Sequence, residues 1–200
     1  SVVMTKLRAL ASERPHLWFQ LYWIVYLIWF FALDLTMQAK YILWCPLDGM
    51  IPFCEWFVIP YCSWFVLLAA VTASLWWCDT AAYDKLCLMM FSGMTFCLIV
   101  YMILPNGLAL RPDVASLGRD NPALRLMELL WRADSAVNVC PSIHCQSTAA
   151  MALAFSESRL AKGRPAYKAG AWAWAALICA SPVFTKQHSV IDVACGLALV

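Results

Sequence analysis

Charge is scarce in this sequence: Asp, Glu, Lys and Arg supply 13% of the 200 residues, against 64% hydrophobic residues and a mean hydropathy of +0.71. That shortage excludes an ordinary soluble domain and identifies an integral membrane protein. A net charge of only +2, with the basic residues in loops beside apolar segments, excludes nucleic-acid binding. None of the ten cysteines forms a C-x-x-C pair, and Cys62, Cys87, Cys97, Cys179 and Cys195 lie inside apolar segments, where they read as small hydrophobes. Cys45 and Cys54 share one loop and can be bridged in an oxidising compartment, whereas the spacing of Cys140 and Cys145 suits neither zinc nor a local bridge. Internal repeats and low-complexity stretches are lacking too, and the chain is too short for a second domain, so residues 1–200 are read as one unit.

The long apolar runs set the expected architecture. A helix crossing the hydrocarbon core needs about 20 mostly apolar residues. Runs near that length fall at 17–33, 56–77, 86–104, 142–160 and 169–184, and a sixth begins near 189 and is still apolar at Val200. The chain is therefore expected to be an all-α, six-transmembrane-helix bundle whose last helix continues beyond residue 200. The first run follows basic residues as a signal peptide does. It is longer than a signal-peptide core and no small-x-small cleavage site follows it, so it is read as an uncleaved anchor.

Orientation follows from Lys and Arg, which are in excess in short cytoplasmic loops. With six alternating segments, one side holds eight basic residues, including Lys6, Arg8, Lys85 and the cluster Arg159, Lys162, Arg164 and Lys168, against four acids; the other holds six against eight. The N-terminus is expected in the cytoplasm and the 105–140 loop on the outer face. Within that loop, Asn121 is a helix cap with Pro122 behind it, and Leu124, Met127, Leu130 and Trp131 recur at helical spacing. An amphipathic helix over 122–133, lying in the headgroup layer, is the expectation.

Only three histidines are present, and two lie on the expected outer side. His16 stands at the entry of the first segment with no evident partner. His188 precedes Asp192 by four residues, which on a helix puts both on one face. The carboxylate can take one imidazole proton and leave the other lone pair free, as a base or a nucleophile requires. The bland reading of this pair is polar glue between helices, but ionisable groups inside a membrane point to function. His144 lies in "CPSIHC", where Pro141 suits a first helical turn and the amides of Ser142, Ile143 and His144 would face an anion. Arg111 adds a fork of donors matched to phosphate.

On these residues the sequence resembles the type 2 phosphatidic acid phosphatase superfamily, membrane lipid phosphatases related to vanadium haloperoxidases. The family's first motif, Lys, six residues, then Arg-Pro, meets Arg111-Pro112 here, with Leu104 at the lysine position. Its second, Pro-Ser-Gly-His, meets Pro141-Ser142-Ile143-His144. Its third, Ser-Arg, five residues, His, three residues, Asp, meets Ser181, His188 and Asp192, with Pro182 in place of the arginine.

The resemblance implies that His188 is a nucleophile forming a phosphohistidine, that Asp192 orients it, and that His144 protonates the leaving alcohol and then activates water. It also implies that Arg111, Ser142 and Ser181 bind the phosphate, with the Ile143 amide beside them, and that no cofactor or metal takes part. Lys186 is expected to replace one of the two missing cations, and Asp134 and Asn138 are candidates for lining the site. The expected partners are the bilayer and a lipid phosphate substrate, phosphatidic acid-like or an isoprenoid (pyro)phosphate. Sphingolipid synthases resemble the same superfamily, so transfer of the phosphoryl group to a lipid alcohol is the alternative activity, and phosphate-lipid binding or transport without turnover is the second.

Overall fold

A computed structural model describes residues 2–13 and 15–200 of the chain. Helix α1 (Val2–Glu13) precedes a 3-10 segment (Pro15–Leu21) that runs into α2 (Tyr22–Thr36). After a loop carrying the short helix α3 (Pro46–Met50), a 3-10 turn at Glu55–Phe57 leads into α4 (Val58–Cys78), and α5 (Thr80–Ile103) returns antiparallel to it. The long loop contains α6 (Pro122–Ala133). The chain then ends with α7 (Ile143–Glu157), α8 (Pro165–Phe184) and α9 (Val190–Leu197).

Among the described residues, three stretches are long and apolar enough to cross a membrane: His16–Thr36, Glu55–Cys78 and Thr80–Ile103. Helix α7 is shorter: at about 1.5 Å per residue its 15 residues span about 22 Å, against a hydrocarbon core of about 30 Å. Helix α8 has 20 residues, more than the expected 169–184 run, but with Pro165, Lys168, Gly170 and Pro182 it is not among those three stretches.

Burial explains how so polar a helix as α7 is accommodated. It packs against α4, α5, α8 and α9, and its Ala149, Ala150, Ala152 and Ala154 allow the neighbouring backbones to come close. Its Gln146, Ser147 and Thr148 are fully enclosed. Helix α2 is the opposite case: Leu33 is its one buried residue, and Ile24, Val25, Leu27, Ile28 and Phe31 face outward, as a lipid-facing helix requires.

Contacts gather the loops at the two ends of the bundle. At one end His16 meets Asp84, and the Asp79 carboxylate caps α5 through Ala82 N while accepting Arg159 N at 2.8 Å. His16 therefore has a partner, contrary to the reading of it as an unpaired interface residue. At the other end, residues 41–42 pair in parallel with 106–107, and Gly107 bridges to Val137. The same end holds α3, α6 and the α8–α9 turn.

Helix α6 starts as expected, with Asn121 Oδ1 accepting Leu124 N at 2.9 Å and Pro122 in the first turn. Its apolar stripe is turned inward: Ala123 and Met127 pack with Val58 at the start of α4, Leu130 and Trp131 lie against them, and Leu124 is buried. Burying each large side chain stabilises by roughly 1.5–3 kcal/mol. A buried carboxylate secures the contact, since Glu55 accepts the Arg119 fork at 2.8 and 2.7 Å and Asn121 Nδ2 at 2.7 Å.

Candidate active site

The loop entering α7 is fixed before the histidine is reached. Asn106 is buried, and its Oδ1 accepts Val139 N and Cys140 N while its Nδ2 donates to Cys140 O and Leu104 O. Tyr101 donates to Pro141 O at 2.5 Å. Ser142 is the N-cap, its Oγ accepting Cys145 N, so α7 begins at Ile143 and Pro141 stands ahead of the cap rather than in the first turn. The Ser142 amide is taken as well: it donates to Asp192 O at 3.0 Å. Helix α9 comes this close because residue 196 is glycine, where a Cβ would sit 2.5 Å from Ser142 O.

In the first turn of α7, His144 is held face to face with Tyr61 at 4.4 Å and stacks on Trp64 at 5.7 Å. Trp64 is anchored to α7 by Nε1 donating to Ser147 Oγ at 2.9 Å, and His144 Nε2 is buried without a hydrogen-bond partner.

The second histidine is presented by the α8–α9 turn. Pro182 O accepts both Gln187 N and His188 N, and the chain reverses through Lys186 at φ 57°. Ser189 then caps α9, and Asp192 Oδ2 accepts Ser189 N at 2.9 Å and pairs with His188 Nδ1 at 3.3 Å. A carboxylate beside Nδ1 keeps the proton there and leaves the Nε2 lone pair for chemistry.

Both histidines line one cavity of about 290 Å³. Asp134, Asn138, Ile143 and Gln187 line it with them, and Tyr26, Phe30, Phe31, Tyr61, Trp64 and Phe65 form an aromatic wall. Phe31 and Phe65 are half-exposed or more, so that wall reaches the outer surface of the bundle. Larger grooves, of about 440 and 450 Å³, lie elsewhere on the helices and contain neither histidine nor carboxylate.

Arg111 stands behind this cavity. Its fork donates to Trp131 O, to Asp134 O at 2.9 Å and to Gln187 Oε1 at 3.0 Å, which links the long loop to the residue before His188. Burial lowers its pKa from the usual 12.5, with Asp134 opposing the shift. Burial also raises the pKa of Asp134, a shift that His188 and Arg111 oppose.

The expected phosphate ligands are thus divided. Ile143, Asn138 and Asp134 reach the cavity, and Arg111 touches two of its lining residues. Ser142 and Ser181 are fully enclosed, with Ser181 Oγ donating to Ile178 O inside α8. Lys186 is not turned into the cavity. Its ammonium donates to Asp48 O at 2.8 Å and Ile51 O at 2.5 Å, so the charge expected to replace the missing cations is committed to the loop between α2 and α4.

Sequence reasoning passed over Asn106, Tyr61, Trp64 and Gln187. The i,i+3 spacing of Tyr61 and Trp64 and the polar Gln187 next to His188 were the available signals. No set of three His, Cys, Asp or Glu among the described residues forms a candidate metal site, and the cysteines, Cys45 and Cys54 included, are free. Comparison with known protein families, with characterised proteins and with solved structures finds no match to this chain.

Proposed function

We propose that this chain is a lipid phosphate phosphatase that works through a phosphohistidine. The observation carrying the reading is the concentration of unpartnered polar atoms around the two histidines: Arg111 Nε, both amide atoms of Asn138, His144 Nε2, Gln187 Nε2 and Asp192 Oδ1 are buried without a hydrogen-bond partner. Such groups cost roughly 1–3 kcal/mol each, which a polar ligand or ordered water in the cavity would recover. The aromatic wall next to them suits the apolar part of a lipid.

In this reading His188 Nε2 attacks phosphorus, the bond to the lipid oxygen breaks, and His144 gives that oxygen its proton. Water then loses a proton to His144 and attacks the phosphohistidine, releasing phosphate and freeing His188. The full architecture of the proposal is six membrane-crossing segments, an N-terminus in the cytoplasm and a site at the outer membrane face. The gathering of the loops at alternate ends and the excess of bases at the His16 end support it.

One observation favours a second reading, transfer to a lipid alcohol. Among the described residues Arg111 is the one cation held against the cavity lining, Asp134 lines the cavity, Lys186 is engaged elsewhere, and Leu104 and Pro182 stand where the resembled family has cations. A phosphodiester carries less negative charge than a phosphomonoester and asks less of such a site.

The deciding experiment offers purified protein in detergent with EDTA a panel of lipid phosphates, with and without an acceptor alcohol, beside His188→Ala. Release of free phosphate that the substitution abolishes supports the phosphatase, and a new phospholipid with little free phosphate moves the reading to transfer. Binding without either product leaves a non-catalytic phosphate-lipid protein.

A further inference from the structure

We propose that Asp48, on the first outer loop, is a positioning residue for the His188 centre. The inference rests on the assignment of His188 as the reacting group. Asp48 lies 141 residues before Ser189, yet its Oδ2 accepts Ser189 Oγ at 2.6 Å and Cys45 N at 2.9 Å, and its Oδ1 accepts Val190 N at 2.9 Å. Asp48, Ser189 and Asp192 are all buried.

Ser189 is the junction. Its hydroxyl donates to Asp48 and accepts Ile191 N, while its amide donates to the same Asp192 oxygen that pairs with His188 Nδ1. The carboxylate of Asp48 therefore fixes where α9 begins, and with it the direction of the Asp192 carboxylate. Lys186 completes the clamp from the other side of His188, because its ammonium holds the Asp48 and Ile51 carbonyls and keeps the turn in its left-handed conformation.

The arrangement has the form of a preorganising shell. The group that touches His188 is held by a second carboxylate whose own lone pairs are filled by two backbone amides and a hydroxyl. An anchor for α9 alone would need only the Val190 amide. The hydroxyl bond to Ser189 ties Asp48 to the residue whose amide orients Asp192. Asp134, His144 and Asp192 are the titratable groups acting on His188, and Asp48 acts through the last of them.

The test uses the full chain in detergent with dioctanoyl phosphatidic acid as substrate, comparing wild type, Asp48→Asn and Ser189→Ala. Ser189→Ala leaves every charge in place, so it separates positioning from the field of the Asp48 carboxylate. We expect kcat to fall roughly tenfold to a hundredfold in both variants with KM within about twofold, since small misplacement of a reacting group costs rate rather than binding. With only three histidines, the His188 imidazole can be followed by nitrogen NMR, and its Nδ1 signal should move in both variants as Asp192 loses its fixed direction.

A lower melting temperature with unchanged kcat and an unchanged His188 Nδ1 signal would overturn the proposal and leave Asp48 as a structural anchor. If wild type turns over no lipid phosphate, the phosphatase reading falls. The His188 Nδ1 signal in Ser189→Ala then decides the positioning role, a change supporting it and none overturning it.

Discussion

Two histidine–aspartate pairs stand at opposite ends of this bundle, and they differ in what surrounds them rather than in what they are. His16 meets Asp84 at 2.5 Å with side chains 44% and 27% exposed; His188 meets Asp192 at 3.3 Å with side chains 13% and 0% exposed. Around His16 most neighbours are paired, with Tyr83 donating to His16 O and Gln20 to Tyr83, and Asp84 Oδ1 is the one atom of the pair buried without a partner. Around His188 a second histidine and two amide side chains share a cavity, with Arg111 behind it, and hydrogen-bonding capacity is left over. The pair alone does not make a site. The shorter, wetter contact fits a junction between α5 and the chain entering α2, and the longer, enclosed one leaves room for a reacting group.

The sharpest way to break this comparison is His188→Ala, for which we expect at least about a thousandfold loss of turnover on a lipid phosphate, measured as released phosphate or transferred product. His144→Gln should cost roughly a hundredfold to ten-thousandfold in kcat, as loss of a general acid does. Retention of wild-type kcat would remove His144 from the mechanism. Arg111→Lys keeps the charge but cannot reach three acceptors with the same fork. Hydrogen bonds from charged groups contribute about 1.5–3 kcal/mol, and a loss of that size should appear in denaturant unfolding in detergent together with a raised KM.

A smaller effect sharpens the contrast through pH. Burial raises the pKa of Asp48, but the hydrogen bonds from Ser189, Val190 and Cys45 outweigh it and leave the group below the usual 3.8. A depressed carboxylate pKa stabilises the fold above the unfolded value, and that stabilisation is lost as pH falls through the folded pKa. Melting temperature should therefore drop more steeply between about pH 5 and pH 3 in wild type than in Asp48→Asn. Equal slopes would mean that the clamp does not depend on the charge. The smallest effect belongs to His16→Ala, which should leave kcat and KM within about twofold in the same assay, because His16 lies at the far end of the bundle from the cavity.

Much of the site was legible because its signals are local. Asp192 follows His188 by four positions, near enough for the two to meet, although His188 stands just ahead of the Ser189 cap and outside α9 rather than on the helix face that the spacing predicts. Asn121 and Pro122 marked the start of α6 because capping is a property of adjacent residues. Lys186 was misleading for the same reason: two positions from His188 it looked available to the phosphate, yet the left-handed turn at residue 186 sends its ammonium to carbonyls of the loop between α2 and α4. Asp48 gave no local sign at all, since its partners lie far along the chain.

The sequence by itself determined that this is an α-helical chain with segments apolar enough to cross a membrane, because hydrophobic runs and caps are written in neighbouring residues and each helix satisfies its own backbone. Only the tertiary structure decided that α6 docks on α4, that α7 can carry Gln, Ser and Thr by sitting inside the bundle, and that His144 and His188 share a cavity while Ser142, Ser181 and Lys186 turn elsewhere. Those outcomes depend on packing and hydrogen bonding between residues distant in sequence, and the side chains that fill those bonds are chosen only when the helices have met.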